Sequence, residues 1–228
     1  MIDMARILVY NVGSNRMETY NRGENDPMPY SYGRTLLVKE FRGSSRSNTL
    51  WTNTAAMESW NATRRSWGQG IYVGYAFKRI WEGGHGQQSQ HYAGVSFDVG
   101  QNLGSTCRRW LHNLAQSLGV WVYVEPLSMT PSWVHFDKRT NPPACSAGYP
   151  LQRVGSAGTY VLVLQDALNA LGYRAGSLDG YFGQNTRTAV VNYQRRNGLS
   201  ADGIVGCATW RRLVSEVVGI GRTPGVVD

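Results

Sequence analysis

One eight-residue pattern occurs twice near the C-terminal end of the chain and limits what that part can fold into. Residues 179–186 read DGYFGQNT and residues 202–209 read DGIVGCAT, so both fit D-G-x-x-G-x-x-T. The Asp-Gly pair favours a tight turn, and the second glycine relieves a close backbone. Apolar residues at helical spacing follow each copy. The repeat therefore predicts two similar turns, each leading into a helix.

A third apolar stripe precedes the first copy and completes a small bundle. It runs at helical spacing through residues 161–171, and Gly172 follows it as a stop. The sequence thus predicts an all-α domain of three helices over residues 159–228. Because so small a bundle has a marginal core, we expect the apolar residues inside the two repeats, Phe182 and Val205, to be structural.

A stretch rich in proline and glycine separates this bundle from the rest of the chain. Residues 141–158 contain three prolines and three glycines and no periodic apolar pattern. Residues of this kind at such density interrupt helices and strands rather than build them. We therefore predict a first domain over residues 1–140 and a linker over residues 141–158.

Helices and strands alternate in the first domain. Thr54 is a good N-cap before an apolar stripe that ends at Gly68. A second helix is predicted to begin near Ser105 and to stop at Gly119, with Trp110 on its apolar face. Strands are predicted at residues 71–77, 120–124 and 133–136. This order predicts an α+β fold with a mostly antiparallel sheet.

The charge balance suggests an acidic partner. The formal net charge is +8, which favours nucleic acid, anionic lipid or an anionic wall polymer. The arginines are scattered and form no basic recognition helix, so we expect no nucleic-acid binding. No apolar run is long enough to span a bilayer, so we expect no membrane insertion. The first ten residues do not resemble a signal peptide, and we expect a monomer made in the cytoplasm.

The three cysteines exclude one kind of metal site. Cys107, Cys145 and Cys207 are far apart, and none forms a Cys-x-x-Cys pair. A thiolate zinc site is therefore not expected. We expect buried free thiols, although one disulfide could form in an oxidising medium.

Histidines and one aspartate form a pattern that suits a metal ion. Residues 89–98 read S-x-H-x-x-G-x-x-x-D, which contains His91 and Asp98, and His135 lies in the sequence WVHFD. Strand alternation turns Asp98 and His135 away from the apolar layer. Two imidazoles and one carboxylate suit zinc and leave a fourth position for water. On spacing alone an alternative stays open, in which His91 and Asp98 only pair and His135 is a surface residue.

A predicted hairpin supplies a candidate general base. If the strands on either side of residues 126–132 pair symmetrically, Tyr123 lies opposite His135 and Glu125 lies opposite Trp133. Glu125 is then a diagonal neighbour of His135 on the same face of the sheet.

The C-terminal sequence resembles a known domain. The stretch LQDALNALGY followed by LDGYFGQNTRTAVVNYQRRNGLSADGIVGCATWRRL is similar to the three-helix peptidoglycan-binding domain found beside many wall-lytic enzymes. The similarity covers nearly all of residues 158–214 and implies attachment to peptidoglycan. Tyr173 and Tyr181 are candidates to stack on a sugar, with core packing as the alternative role.

The first domain also resembles a known family. The pattern S-x-H-x-x-G-x-x-x-D followed by WVHFD resembles the zinc D-alanyl-D-alanine carboxypeptidases, whose metal site is shared with hedgehog and lysostaphin-type folds. The similarity is strongest over residues 71–139. It implies Zn²⁺ bound by His91, Asp98 and His135, and cleavage of peptidoglycan stem peptides.

Two departures from that family leave the base and the substrate-binding cation open. Many relatives carry a glutamate three residues before the last histidine, where this chain has Ser132. Glu125 is our candidate base, His85 and Asp137 are rivals, and Asp137 could instead orient a metal ligand. Many relatives also carry an arginine after the Gly-Tyr of the preceding strand, where this chain has Ala76.

Residues near this pattern supply the candidate substrate contacts. Lys78 and Arg79 are the candidate partners of a substrate carboxylate, with solvated surface charge as the alternative, and Ser89 is a candidate substrate contact. The leading hypothesis is a zinc peptidase that acts on the cell wall. Its domain order resembles a phage endolysin released by lysis or holin-type export, and a host sporulation or autolysis enzyme is the alternative origin. The alternative is a wall-binding protein whose zinc domain is not catalytic.

Overall fold

The fold combines two sheets and six helices and is described by a computed structural model over residues 4–145 and 148–221. The strands are β1 Met4–Asn11, β2 Arg16–Gly23, β3 Thr49–Asn53, β4 Val73–Tyr75, β5 Ser96–Val99, β6 Tyr123–Val124 and β7 Val134–Asp137. The helices are α1 Val38–Arg42, α2 Thr54–Trp67, α3 Ser105–Ser117, α4 Thr159–Ala170, α5 Gln184–Arg196 and α6 Cys207–Val217. The α+β class is confirmed. None of the described helices combines the length and the apolar character that a bilayer crossing demands.

The first sheet is mixed and has the order β2-β1-β3. β1 and β2 form an antiparallel hairpin, whereas β1 and β3 run parallel. Ile7, Leu8 and Val9 of the central strand are buried, and α2 packs on β1 and β3. The strands of this sheet were not predicted from the sequence.

The second sheet carries the residues of the predicted metal pattern. Its order is β4-β5-β7-β6, and every neighbouring pair is antiparallel. The predicted strand at residues 71–77 is shorter than expected, because only Val73–Tyr75 pairs with β5. The two helices predicted in this half of the chain are present as α2 and α3.

The N-terminal cap of α2 and the buried face of α3 differ from the predictions by one residue. The side chain of Asn53, not a threonine, caps α2 by accepting from the backbone N–H of Ala56. In α3, Leu111 and Ala115 are buried one turn apart, whereas Trp110 is 61% exposed. Trp110 precedes this stripe by one residue, which rotates it about 100° around the helix axis, away from the core.

The C-terminal helices form a duplicated unit in which one glutamine organises each repeat. Gln165 donates from Nε2 to Asp179 Oδ1 and to Thr186 Oγ1, at 2.7 and 3.2 Å. Gln194 makes the same pair of contacts in the second copy, to Asp202 Oδ1 and Thr209 Oγ1, at 3.0 and 3.1 Å. Each amide therefore satisfies the turn that precedes the next helix. The expected structural role of the two apolar residues is confirmed by the burial of Phe182 and Val205.

The two halves of the chain share a buried ion pair. Arg79 lies beside the 3₁₀ turn Ile80–Glu82 and is 3% exposed, and its Nη2 lies 2.7 Å from Asp166 Oδ1 of α4. Arg79 Nε also donates to Asp166 Oδ2 at 2.9 Å, and Nη1 donates to Ser47 Oγ at 2.8 Å. The bidentate geometry and the added hydroxyl are what a buried arginine needs to offset its lost hydration. The two halves are thus packed together.

The cysteines differ from the expected free thiols. Cys145, in the predicted linker, forms a disulfide with Cys207 at the start of α6. Cys107 is a free, half-buried thiol on α3. In addition to the chain itself, this disulfide therefore links the predicted linker to helix α6.

We predict that Asp166→Asn lowers the free energy of unfolding by about 3–5 kcal/mol, because it leaves the buried Arg79 charge without its carboxylate. Urea denaturation of the full chain measures the change. Arg212→Gln is the control, since Arg212 is 55% exposed in its ion pair with Glu216 and should cost less than about 1 kcal/mol. Equal effects of the two substitutions would contradict the proposed stabilisation.

Candidate metal centre

The second sheet aligns four polar side chains in one row across its strands. Asp98 on β5 pairs directly with His135 on β7 and, on its other side, with Tyr75 on β4. Beyond β6, the backbone N–H of Glu125 donates to the carbonyl oxygen of His135 at 2.9 Å. Directly paired residues project to the same face of a sheet, so this row forms the floor of one site.

The hairpin register corrects the predicted one by two residues. Tyr123 pairs with Asp137 rather than with His135. The cause is a second turn in the connecting loop, where the backbone N–H of Trp133 donates to the carbonyl oxygen of Thr130 at 3.3 Å. This turn removes Trp133 from the strand. A shift of two residues keeps every side chain on its expected face, so the candidate base moves from a diagonal position to a directly paired one.

His91 reaches the site from a tight turn before β5. Gly94 in this turn has a φ of +66°, and a Cβ there would lie 1.9 Å from the carbonyl oxygen of Trp51, so only glycine fits. His91 Nδ1 lies 3.0 Å from the carbonyl oxygen of Ala76, which leaves Nε2 as the nitrogen with a lone pair. That buried Nε2 lies 3.2 Å from Asp98 Oδ2 but forms no hydrogen bond with any residue that the structure describes.

His135 contacts the other oxygen of the same carboxylate. Its Nδ1 lies 2.6 Å from Asp98 Oδ1, and its Nε2 lies 3.1 Å from Asp137 Oδ2. Asp137 is buried and accepts in turn from Arg139 Nε at 2.8 Å. A carboxylate behind an imidazole fixes its ring orientation and its tautomer, as is typical of metal-ligating histidines.

The electrostatics of the site favour a cation between carboxylates. Burial raises the pKa of Asp98, but the contacts with His135 and His91 outweigh burial and hold that pKa below its usual range. Burial lowers the pKa of His135, but its hydrogen bonds with Asp137 and Asp98 outweigh burial and raise that pKa to about 9. Since ligation requires a neutral imidazole, a metal ion would take the place of this proton.

His85 joins the same cluster from a loop. Its ring lies 4.3 Å from the ring of His91 and 4.0 Å from that of Tyr75, centroid to centroid. One ligand atom each from His85, His91 and Asp98 lie within 4.8 Å of one another. Burial, followed by the neighbouring His91, lowers the pKa of His85 to about 4, so this imidazole is neutral at pH 7. The structure therefore brings a third histidine beside the predicted ligands.

The residues present fit a divalent ion such as zinc. Two imidazole nitrogens face the two oxygens of Asp98, and the buried Nε2 of His91 lacks a hydrogen-bond partner among the described residues. Nitrogen and carboxylate ligands of this kind are the usual donors for zinc. His112 on α3 is also buried, and its Nε2 lies 3.1 Å from the carbonyl oxygen of Glu125.

A cleft of about 380 Å³ opens above this floor. Residues 87–91 form one wall, and Tyr123, Glu125, Met129 and Trp133 form the other. Ser89, a predicted substrate contact, lies in the first wall, where its Oγ accepts from the backbone N–H of His91 at 3.3 Å. Glu125 and His85 line the cleft, whereas Asp137 lies behind His135.

The predicted substrate cations lie outside the cleft, and a different arginine lines it. Arg79 is buried against Asp166, which corrects the expectation that it binds substrate. Lys78 lies beside the site, with Nζ 5.8 Å from the ring centroid of Tyr75, and does not line the cleft. Arg139 does line it, with its guanidinium 4.1 Å from the ring centroid of Tyr123. The missed signal was the alternation that puts Arg139 on the same face as His135, four residues earlier.

Comparison with known proteins identifies the C-terminal part of the chain. Residues 157–213 match the family described as "Putative peptidoglycan binding domain". N-acetylmuramoyl-L-alanine amidase CwlM of Mycobacterium tuberculosis is 48% identical over 56 residues, which are 25% of this chain and 14% of the relative. A spore cortex-lytic enzyme of Bacillus cereus is 40% identical over 60 residues, which are 26% of this chain and 23% of the relative.

Among solved structures, the N-terminal domain of SleB is 36% identical to this chain. The match covers 29% of this chain and 92% of that domain, with a TM-score of 0.29. The chain spans less than a quarter of the length of the two enzymes compared above. The similarity therefore concerns a shared domain, and through residues 157–213 this chain belongs to the family of peptidoglycan-binding domains.

Proposed function

We propose that the first domain is a zinc-dependent peptidase that cleaves peptidoglycan stem peptides while the second domain holds the wall. The observation that carries this proposal is the meeting of His91, Asp98 and His135 on the floor of an open cleft. The peptidoglycan-binding family of the second domain supports the same polymer as substrate. Relatives that share this domain are named as cell-wall hydrolases, which supports a hydrolytic role.

His91, Asp98 and His135 would hold the zinc ion, with His91 offering Nε2 and His135 offering Nδ1. When bound, zinc supplies Lewis-acid chemistry that polarises a peptide carbonyl and lowers the pKa of water. Asp137 keeps a proton on His135 Nε2 and so directs Nδ1 towards the cleft. The ion pair between Asp137 and Arg139 holds that carboxylate in place.

Glu125 is the proposed general base. It follows β6 directly opposite His135, and its side chain lines the cleft. Its carboxylate takes a proton from the water that attacks the peptide carbonyl and returns it to the leaving amine. A base on this strand would replace the family glutamate, whose position is taken by the exposed Ser132.

Arg139 is the proposed contact for a carboxylate of the stem peptide. Among the described arginines and lysines, it is the one that lines the cleft. Its Nε and Nη2 are bonded to Asp137, so the donor offered to a substrate carboxylate would be Nη1. Met129 and Trp133 supply an apolar surface on the same wall. A D,D-carboxypeptidase and an L,D-type endopeptidase would differ in the bond cut, which mass spectrometry of digested muropeptides distinguishes.

A second candidate function is a wall-binding protein without catalysis. It is favoured by one observation: both ring nitrogens of His135 lie within hydrogen-bonding distance of a carboxylate, one from Asp98 and one from Asp137. Ser132 at the position of the family glutamate is consistent with it. In this alternative the cluster stabilises the fold.

We predict that the purified chain releases new amino groups from peptidoglycan and that a chelator stops the release, because the proposed metal ligands would be left without zinc. Quantification of free amines with and without chelator, followed by zinc addition, measures both effects. Zinc and wall binding without any release of amines would favour the second candidate function.

We predict that His135→Ala abolishes cleavage and lowers the bound zinc, because it removes a ligand that Asp137 orients. His85→Ala is the matched control, since His85 lies in the same cluster but is not a proposed ligand. Metal analysis after dialysis should find zinc retained in this control. If His85→Ala lost zinc and His135→Ala kept it, His85 would be the ligand and His135 would not.

We predict that Glu125→Gln lowers kcat by roughly 10²–10⁴-fold, because an amide cannot accept the proton, while the zinc content stays unchanged. Steady-state kinetics on a stem peptide and metal analysis measure the two quantities. Glu58→Gln, on the exposed side of α2, should leave both unchanged. An unaltered kcat in Glu125→Gln would return the role of base to His85.

A further inference from the structure

The turn that presents His91 is held from behind by the chain that follows the first domain. The backbone N–H of Tyr149 donates to Gln88 Oε1 at 2.9 Å. The hydroxyl of Tyr149 donates to the carbonyl oxygen of Ser89 at 2.8 Å. Gln88 and Ser89, which precede His91 in the chain and line the cleft, are therefore both hydrogen-bonded to Tyr149.

The next residue in the chain, Gln90, is hydrogen-bonded to a residue of helix α4. The hydroxyl of Tyr160 donates to Gln90 Oε1 at 2.7 Å and accepts from the backbone N–H of Thr140 at 3.0 Å. Thr140 lies three residues beyond the end of β7, the strand of His135. One phenol in the first turn of α4 thus joins the turn before His91 to the segment that follows His135.

The two tyrosines that make these contacts are themselves buried against the three-helix domain. Tyr149 is fully buried, and its ring lies 5.5 Å from that of Tyr160 and 5.0 Å from that of Trp210. Trp210 on α6 donates from Nε1 to the carbonyl oxygen of Pro150 at 2.9 Å. The hydrogen bond from Tyr160 to Gln90 is fully buried, so water cannot readily replace it.

The backbone of the turn needs such support. Gln88 has a φ of +58°, in the left-handed region that residues other than glycine rarely adopt. A conformation of this kind persists where its surroundings fix it. The hydrogen bond from Tyr149 to the Gln88 side chain is one such constraint.

We propose that Tyr149 and Tyr160 are positioning residues that fix the turn carrying His91. The linker and the second domain would then support the metal centre from behind, in addition to the role of the second domain in binding peptidoglycan. The role of His91 as a ligand rests on the proposed function. The fixing of the turn itself rests on the three hydrogen bonds alone.

The test uses Tyr160→Phe in the full chain, which keeps the ring and removes only the hydroxyl. We expect the dissociation constant for Zn²⁺ to rise on the order of tenfold, and the visible absorption bands of the Co²⁺-substituted protein to shift. Tyr193→Phe is the matched control, because its buried ring lies in the same domain and its hydroxyl bonds to Glu216 at 3.1 Å, on helix α6. It should change neither quantity.

A second readout needs no metal. Amide hydrogen exchange of residues 85–95 in the metal-free chain should be faster in Tyr160→Phe and in Tyr149→Phe than in Tyr193→Phe. The exchange rates are compared at temperatures equally far below the Tm of each variant. Unchanged exchange and unchanged zinc affinity in Tyr160→Phe would overturn the proposal. Faster exchange in a chain whose wild type binds no zinc would support the fixing of the turn and refute the metallopeptidase function.

Discussion

The pairing of β5 with β7 is the constraint on which the rest of the site depends. Asp98 and His135 meet because their strands pair in this register, and a slip of one residue would place them on opposite faces of the sheet. On the opposite face Phe97 pairs with Phe136, and the ring of Trp121 lies 5.9 and 4.3 Å from theirs. Apolar packing on one side of the sheet thus fixes the register, and the register brings the polar groups together on the other.

Local patterns in the sequence predicted five of the six described helices, the class of the fold and the face on which several polar residues of the second sheet lie. Periodicity fixes which face of a strand a residue occupies, so Asp98, His135 and Glu125 were expected on one side. The hairpin register was wrong because it depends on a turn ending at Trp133, which leaves no periodic signal. The destination of Arg79 could not be predicted, since its partner lies in another domain.

The duplicated unit shows how little sequence is needed to specify a repeat. In each copy one buried glutamine binds an aspartate, a threonine and the turn between them. The pattern D-G-x-x-G-x-x-T therefore contains the partners of this glutamine, and the glutamine itself lies in the preceding helix. The copies diverge at the first position of the following helix, where Gln184 in one corresponds to Cys207 in the other. The second copy uses that position for the disulfide with Cys145, just before the segment that supports the His91 turn.

The buried contact between Arg79 and Asp166 bears on how freely such modules can be exchanged. In a chimaera, another binding module would take the place of the peptidoglycan-binding domain behind the first domain. A replacement module without a carboxylate at the position of Asp166 would remove the buried ion pair of Arg79 from the interface between the two domains. Compatible binding modules are those with an aspartate at the position of Asp166. Such a module should be chosen by how its surface fits the first domain, and not only by the point at which the two sequences are joined.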